Sequence, residues 1–171
     1  MSLHNGHAAV DRETVLAGTP AEHKSNLRLW LRMLSCVNLM EAQIRRRLRE
    51  QFSTTLPRFD LLAQLERAPN GLTLGEISRR MMVSNGNITA LAASLVADGL
   101  VERRAHESDR RAQRLRLTPE GRADFERQSA AHESWIAELF TQVPPADRAS
   151  LHGLLGSVKA SARLGLAEDM A

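Results

Sequence analysis

The chain has 171 residues, 43% of them apolar but only 4% aromatic, with no tyrosine, one cysteine and a formal net charge of +3. That length suits one well-buried domain with a helical extension and is short for two independent domains. The single Cys36 excludes an intramolecular disulfide and a multi-cysteine zinc site, and the small total charge means that any case for nucleic acid must rest on local clustering.

A core made from Leu, Ala, Val, Ile and Met favours helices. No apolar run approaches the roughly 20 residues that span a bilayer, and the N-terminal stretch lacks a charged segment followed by an apolar one, so a cytoplasmic protein with no membrane partner is expected. Residues 1–24 hold Gly6, Gly18 and Pro20 without a sustained period and are expected to form a flexible arm.

From Leu27 the pattern changes. Leu27, Trp30, Leu34, Val37, Ile44 and Leu48 recur at steps of three and four, interrupted by Glu41, which predicts an amphipathic helix over roughly Ser25–Phe52. Its "RRRLR" run, residues 45–49, suits a solvated face that complements the helix C-terminus, or alternatively a contact to DNA or a ligand. A second helix is expected near Pro57, with Asp60 close to the positive end of its dipole and Phe59, Leu62 and Leu65 inward, stopped by "APNG" at 68–71.

"TLGE", 73–76, has the spacing of a capping box and opens a short helix carrying Leu74, Ile77 and Met81. "SNGN", 84–87, offers another cap, before a helix with Ile88, Leu91, Ala92 and Leu95 inward and a stop at Asp98-Gly99. From Leu100 the period falls to two. Val101 on one side and Leu115 and Leu117 on the other predict a hairpin with an eight- to ten-residue tip. Thr118-Pro119-Glu120 then supplies N-cap, proline and acid for a long helix through Phe125, Trp135, Ile136, Leu139 and Phe140. "VPPAD" breaks it, and a last helix carries Leu151, Leu154, Leu155 and Val158 on one side, with fraying expected after Leu166.

Short helix, turn, helix and hairpin between longer helices is the order of a winged helix-turn-helix, so a mostly α fold (α+β) with a two-stranded wing is expected. The pair would be Leu74–Met81 and 85–98, the second entering the major groove. Ser84, Asn85, Asn87 and Thr89 are short polar residues on its first turns, able to bond base edges and phosphates; for Ser84 and Asn85 capping is the other reading. Arg110 and Arg111 at the hairpin tip, beside Arg103, Arg104, Arg114 and Arg116 on the strands, suit the negative potential of a narrow minor groove. Alternation sends neighbours to opposite faces, so about half of the strand arginines should be simply solvated. Asp109 would hold an arginine in one pose.

These residues, in "LTLGEISRRMMVSNGNITALAASLVADGLVERRAHESDRRAQRLRLTPEGR" over 72–122, resemble the MarR family of transcriptional regulators, with "DGLVER", "SDRR" and "LRLTPEG" carrying the likeness together. The resemblance implies a homodimer joined by N- and C-terminal dimerisation helices, residues 25–56 and 119–171, around a DNA-binding domain at 57–118. It implies a repressor that lets go when a small molecule or an oxidant acts; two recognition helices about 34 Å apart in such a dimer would require a pseudo-palindromic operator. Its wing Asp-x-Arg pattern falls on Asp109 and Arg111, and its recognition contacts fall around 84–90. The chain departs at Ala90, where many relatives carry a long polar residue. Family ligands sit between the dimerisation helices and the winged lobe, where Trp30, Met33, Arg58 and Phe59 would suit an aromatic acid or acyl thioester; ordinary core is the other reading of the apolar three.

Cys36 invites a redox reading, but it lies in an apolar helix without an adjacent cation, in a chain lacking the tyrosines on which such sensors rely. His4, His7, His106, His132 and His152 share no ligand spacing, so no metal and no cofactor is expected. No nucleophile elbow, phosphate-binding glycine loop or zinc-protease motif is present, which argues against an enzyme. An adaptor that uses the winged fold without DNA is the remaining alternative.

Overall fold

The computed structural model describes residues 24–105 and 113–168. The N-terminal arm, and the hairpin tip with Asp109, Arg110 and Arg111, lie outside the described residues. The elements run α1 (Ser25–Phe52), α2 (Leu56–Glu66), α3 (Leu74–Met81), α4 (Asn85–Ala97), β1 (Val101–Ala105), β2 (Gln113–Leu117), α5 (Pro119–Leu139) and α6 (Pro145–Glu168). This is a mostly α winged helix-turn-helix with long helices on either side of it in sequence. The chain divides into two compact units, one ending at Ala131 and the other beginning at His132.

In the first unit the core gathers Ile44 and Leu48 of α1, Phe59, Leu61, Leu62 and Leu65 of α2, Ile77 of α3, Ile88, Ala92 and Leu95 of α4, and Val101 and Leu115 of the strands. The apolar stripe of α1 is divided: its last turns are buried, while Leu27, Trp30 and Val37 remain exposed. α1 ends where Ser53 takes a left-handed conformation and its N–H reaches the carbonyl of Arg49 at 3.2 Å. Asp60 departs from expectation. The first turn of α2 holds no acid, and the Asp60 carboxyl is raised above its ordinary value by burial and then by the charge of Glu41, with Arg45 opposing. Partial burial beside a like charge outweighs the helix dipole there.

β1 and β2 pair antiparallel with Val101 opposite Leu117, Arg103 opposite Leu115 and Ala105 opposite Gln113. Only residues 106–112 separate them, a shorter connection than expected. A further rung joins Leu72 to Leu115, each N–H donating to the other's carbonyl at 3.0 and 2.8 Å, so the segment before α3 is stitched to the wing. Gly71, at φ 76, makes this approach possible: a Cβ there would lie 2.6 Å from the carbonyl oxygen of Leu115.

α5 starts as expected. Thr118 Oγ1 accepts from the Gly121 N–H at 2.9 Å and donates to the Gly99 carbonyl at 2.7 Å. Gly121 itself touches the Leu100 backbone so closely that a Cβ would meet its carbonyl oxygen at 1.9 Å. The helix ends at Leu139, one residue before the expected Phe140, and the final helix runs to Glu168, the last described residue. In the second unit, residues 144–164 are exposed throughout.

Candidate nucleic-acid interface

α3 opens with both halves of a capping box: the Glu76 N–H donates to Thr73 Oγ1 at 3.2 Å and the Thr73 N–H donates to Glu76 Oε2 at 2.7 Å. The Thr73 N–H is the foremost cause holding the Glu76 carboxyl below its usual range, with the Thr73 hydroxyl, Arg114 and Arg79 adding to it. α3 closes at Met82, which has φ 55 and is 92% exposed. The turn is pinned twice, by the Val83 N–H on the Ser78 carbonyl at 3.2 Å and by Ser78 Oγ on the Val83 carbonyl at 2.6 Å. A left-handed non-glycine residue is an expensive place to leave an apolar side chain in water, and such strain concentrates where a surface is used.

α4 begins differently. Ser84 occupies the N-cap with extended backbone and its carbonyl accepts from the Ile88 N–H at 3.2 Å, yet its side chain makes no capping bond. With Ile88, Ala92 and Leu95 buried, helical periodicity turns the opposite side outward. Ser84, Asn85, Asn87 and Thr89 are all exposed over the cap and first turns of α4, with Asn87 and Thr89 on either flank of buried Ile88. The Thr89 hydroxyl donates to the Asn85 carbonyl at 2.8 Å, which leaves the Asn85 and Asn87 amides directed by nothing in the helix itself.

The wing strands divide their arginines three to one rather than in halves. The register pairs Arg104 with Arg114 and Glu102 with Arg116, so these four share a face, and Arg103 lies on the other with Leu115. Arg104 Nε donates to Glu102 at 2.8 Å and Arg103 reaches Gln113 at 3.5 Å. Arg114 is turned toward the start of α3: it donates to the Gly71 carbonyl at 2.6 Å and lies 3.7 Å from Glu76, and its Nε is buried with no partner among the described residues. Its guanidinium ties β2 to the helix-turn-helix, whereas Arg116 is exposed.

The four expected ligand residues have separate surroundings. Arg58 donates to Ser94 Oγ and to the Asp98 carboxylate, bracing the C-terminal end of α4. Phe59 is buried with its ring 5.5 Å from that of Phe125. Trp30 is exposed and Met33 is half-buried on α1. A cavity of about 410 Å³ lies against α4, between Pro57, Met81, Val83 and Leu91, and includes none of the four. Cys36 is exposed. Sequence reasoning passed over Arg79 and Arg80, two exposed cations on the last turn of α3; their signal was adjacency to the turn.

The MarR family model matches residues 52–112, from the end of α1 into the wing. A MarR family transcriptional regulator from Silicibacter pomeroyi superposes with a TM-score of 0.72 at 30% identity, over 84% of this chain and 99% of that one. The chain belongs to the MarR family. It is a MarR-family transcriptional regulator and not an enzyme, as the sequence motifs led one to expect. The transcriptional activatory protein BadR of Rhodopseudomonas palustris is 30% identical over 119 residues, 67% of each chain. FabT of Streptococcus pneumoniae, solved in complex with DNA, shares the MarR fold with a TM-score of 0.69 at 21% identity, over 81% of this chain and 97% of that one. Among the described residues of this MarR-family chain no helix is long and apolar enough to cross a membrane.

Proposed function

We propose that this MarR-family chain is a homodimeric repressor that binds double-stranded DNA at a pseudo-palindromic site and is released by a small-molecule effector. The observation that carries the reading is the N-terminal turn of α4, where Ser84, Asn85, Asn87 and Thr89 are exposed while the cap position leaves its side chain uncommitted. In the major groove those groups would bond base edges and phosphates, and Arg110 and Arg111, steadied by Asp109, would enter the adjacent minor groove. Arg114 would contribute by holding the wing. The FabT complex supports DNA as the partner.

Dimerisation through 25–56 and 119–171 is supported by what the chain leaves uncovered. Leu151, Leu154, Leu155 and Val158 of α6 are 42%, 67%, 43% and 41% exposed at helical spacing, and an apolar helix face of this kind needs tertiary packing to be stable. A second copy would cover it isologously and set two recognition helices about one DNA turn, ~34 Å, apart. An effector of the aromatic-acid or acyl-thioester class would compete with Asp98 for Arg58. Because BadR is named as an activatory protein, activation through the same DNA contacts is the second reading.

Fluorescence anisotropy of the full chain on labelled duplex DNA at two salt concentrations tests the reading: tight binding that weakens steeply with salt supports it, and no binding favours an adaptor. Arg111→Ala should cost about 1–3 kcal/mol of operator binding and Arg46→Ala little; equal losses would overturn the wing assignment. Aromatic acids and their thioesters at 100 times Kd should stabilise by about 2.7 kcal/mol in thermal melts, and no shift with any would remove the effector class. A reporter gene distinguishes repression from activation.

A further inference from the structure

We infer that Arg79 and Arg80 form a phosphate-binding ledge that extends the DNA interface onto α3, an inference that rests on the proposed DNA-binding reading. From Arg79 to Asn87 every residue is exposed except the half-buried Met81, so the two cations are continuous along the chain with the open turn of α4. The stretch "RRMMVSNGN" contains no acid. At about 100° per residue, Arg79 stands about 200° round the helix from Ile77, which is fully buried, whereas Arg80 lies about 60° from it and is exposed because it sits on the last turn.

Five other arginines show what a structural role looks like in this protein, while Arg67 and Arg116 stand outside that set. Arg45 pairs with Glu41, Arg58 with Asp98, Arg104 with Glu102 and Arg122 with Glu66, and Arg114 is held by Gly71 and Glu76. Arg79 and Arg80 make no ion pair or side-chain hydrogen bond with another described residue, and Arg79 acts on Glu76 through its charge alone. Glu76, the acid within one turn of them on α3, is already engaged by Thr73. Their position fits the general docking of a helix-turn-helix, in which the first helix crosses the sugar-phosphate backbone while the second enters the groove. Contacts of that kind hold the protein in register and carry no base preference. The ledge therefore sets affinity, and the turn of α4 sets discrimination.

The test uses the full chain with two 30-bp duplexes, one selected by the wild-type protein from a random-sequence pool and one unselected, titrated across a fourfold range of salt. The double variant Arg79→Gln, Arg80→Gln should weaken both duplexes by the same factor and flatten the slope of log affinity against log salt by about 1.8, at about 0.9 per lost phosphate contact. Arg79→Lys, Arg80→Lys should restore the slope, and Asn87→Ala should weaken the selected duplex alone. An unchanged slope and affinity in the glutamine variant, or a loss confined to the selected duplex, overturns the ledge while leaving the DNA-binding reading intact. Failure of the wild type to bind either duplex overturns both.

Discussion

Two helices of this regulator start eleven positions apart with opposite treatment of the same chemical problem. At Thr73 the orphan amides of α3 are closed by a reciprocal capping box, and the hydroxyl and carboxylate are used up in doing so. At Ser84 the backbone adopts the cap conformation and the side chain stays unused, with a run of exposed polar groups behind it. A third start, at Thr118, resembles the first, its hydroxyl bonded in both directions. The lobe thus closes the starts of α3 and α5 with side chains and leaves those of α2, at Thr55, and α4 without one; of these two, only the start of α4 is followed by a run of exposed polar residues.

The same contrast recurs among apolar faces. α2 buries Phe59, Leu61, Leu62 and Leu65, whereas α6 buries none of its leucines among the described side chains. Leu62→Ala should therefore have the largest effect, about 2–5 kcal/mol of unfolding stability in denaturant, with association unchanged. Leu154→Asp with Leu155→Asp should do the reverse: it should shift sedimentation from dimer to monomer, a loss of about 2 kcal/mol or more of association, and leave the helix-turn-helix folded. If the α6 variant stays dimeric, that face is not the one a second copy covers.

Smaller effects sharpen the comparison of helix starts. Thr118→Ala should cost about 1–2 kcal/mol in thermal or denaturant unfolding, because two hydrogen bonds go with the hydroxyl. Glu76 adds a pH dependence. The Thr73 N–H holds its carboxyl below the ordinary 4.5, so its charge stabilises the fold above that value and the contribution is lost as the pH falls beneath it. Glu76→Gln should be less stable than wild type at pH 7, and the two should converge below pH 4.5. Ser84→Ala should change stability by no more than about 0.5 kcal/mol, since its hydroxyl caps nothing; a loss as large as that at Thr118 would mean that the open start is closed in solution.

Local spacing made much of this legible. The three-residue interval in "TLGE", the Thr-Pro-Glu start of α5 and the period of α1 each depend on neighbours within a turn or two, and each appears where the sequence puts it. The cluster on α4 was legible because Ser84 to Thr89 are consecutive. What escaped depends on partners far along the chain. Arg114 finds Gly71 across 43 positions and Arg58 finds Asp98 across 40, so alternation and helix phase fix the side on which each arginine leaves the backbone but not what it meets. The Leu72–Leu115 rung is a single residue on each side, too short to produce a period. Asp60 was misjudged because its surroundings come from α1, through Glu41 and Arg45, and not from its own helix.

The central claim, that the open turn of α4 lies in the DNA groove in two copies, is tested most directly by a cleavage reagent tethered to that turn. In a full-length chain carrying Cys36→Ser and Asn85→Cys, an iron-chelate at position 85 should cut the selected duplex in two clusters about one helical turn, ~10 bp, apart. Cutting spread evenly along the duplex, or none while binding persists, would contradict it.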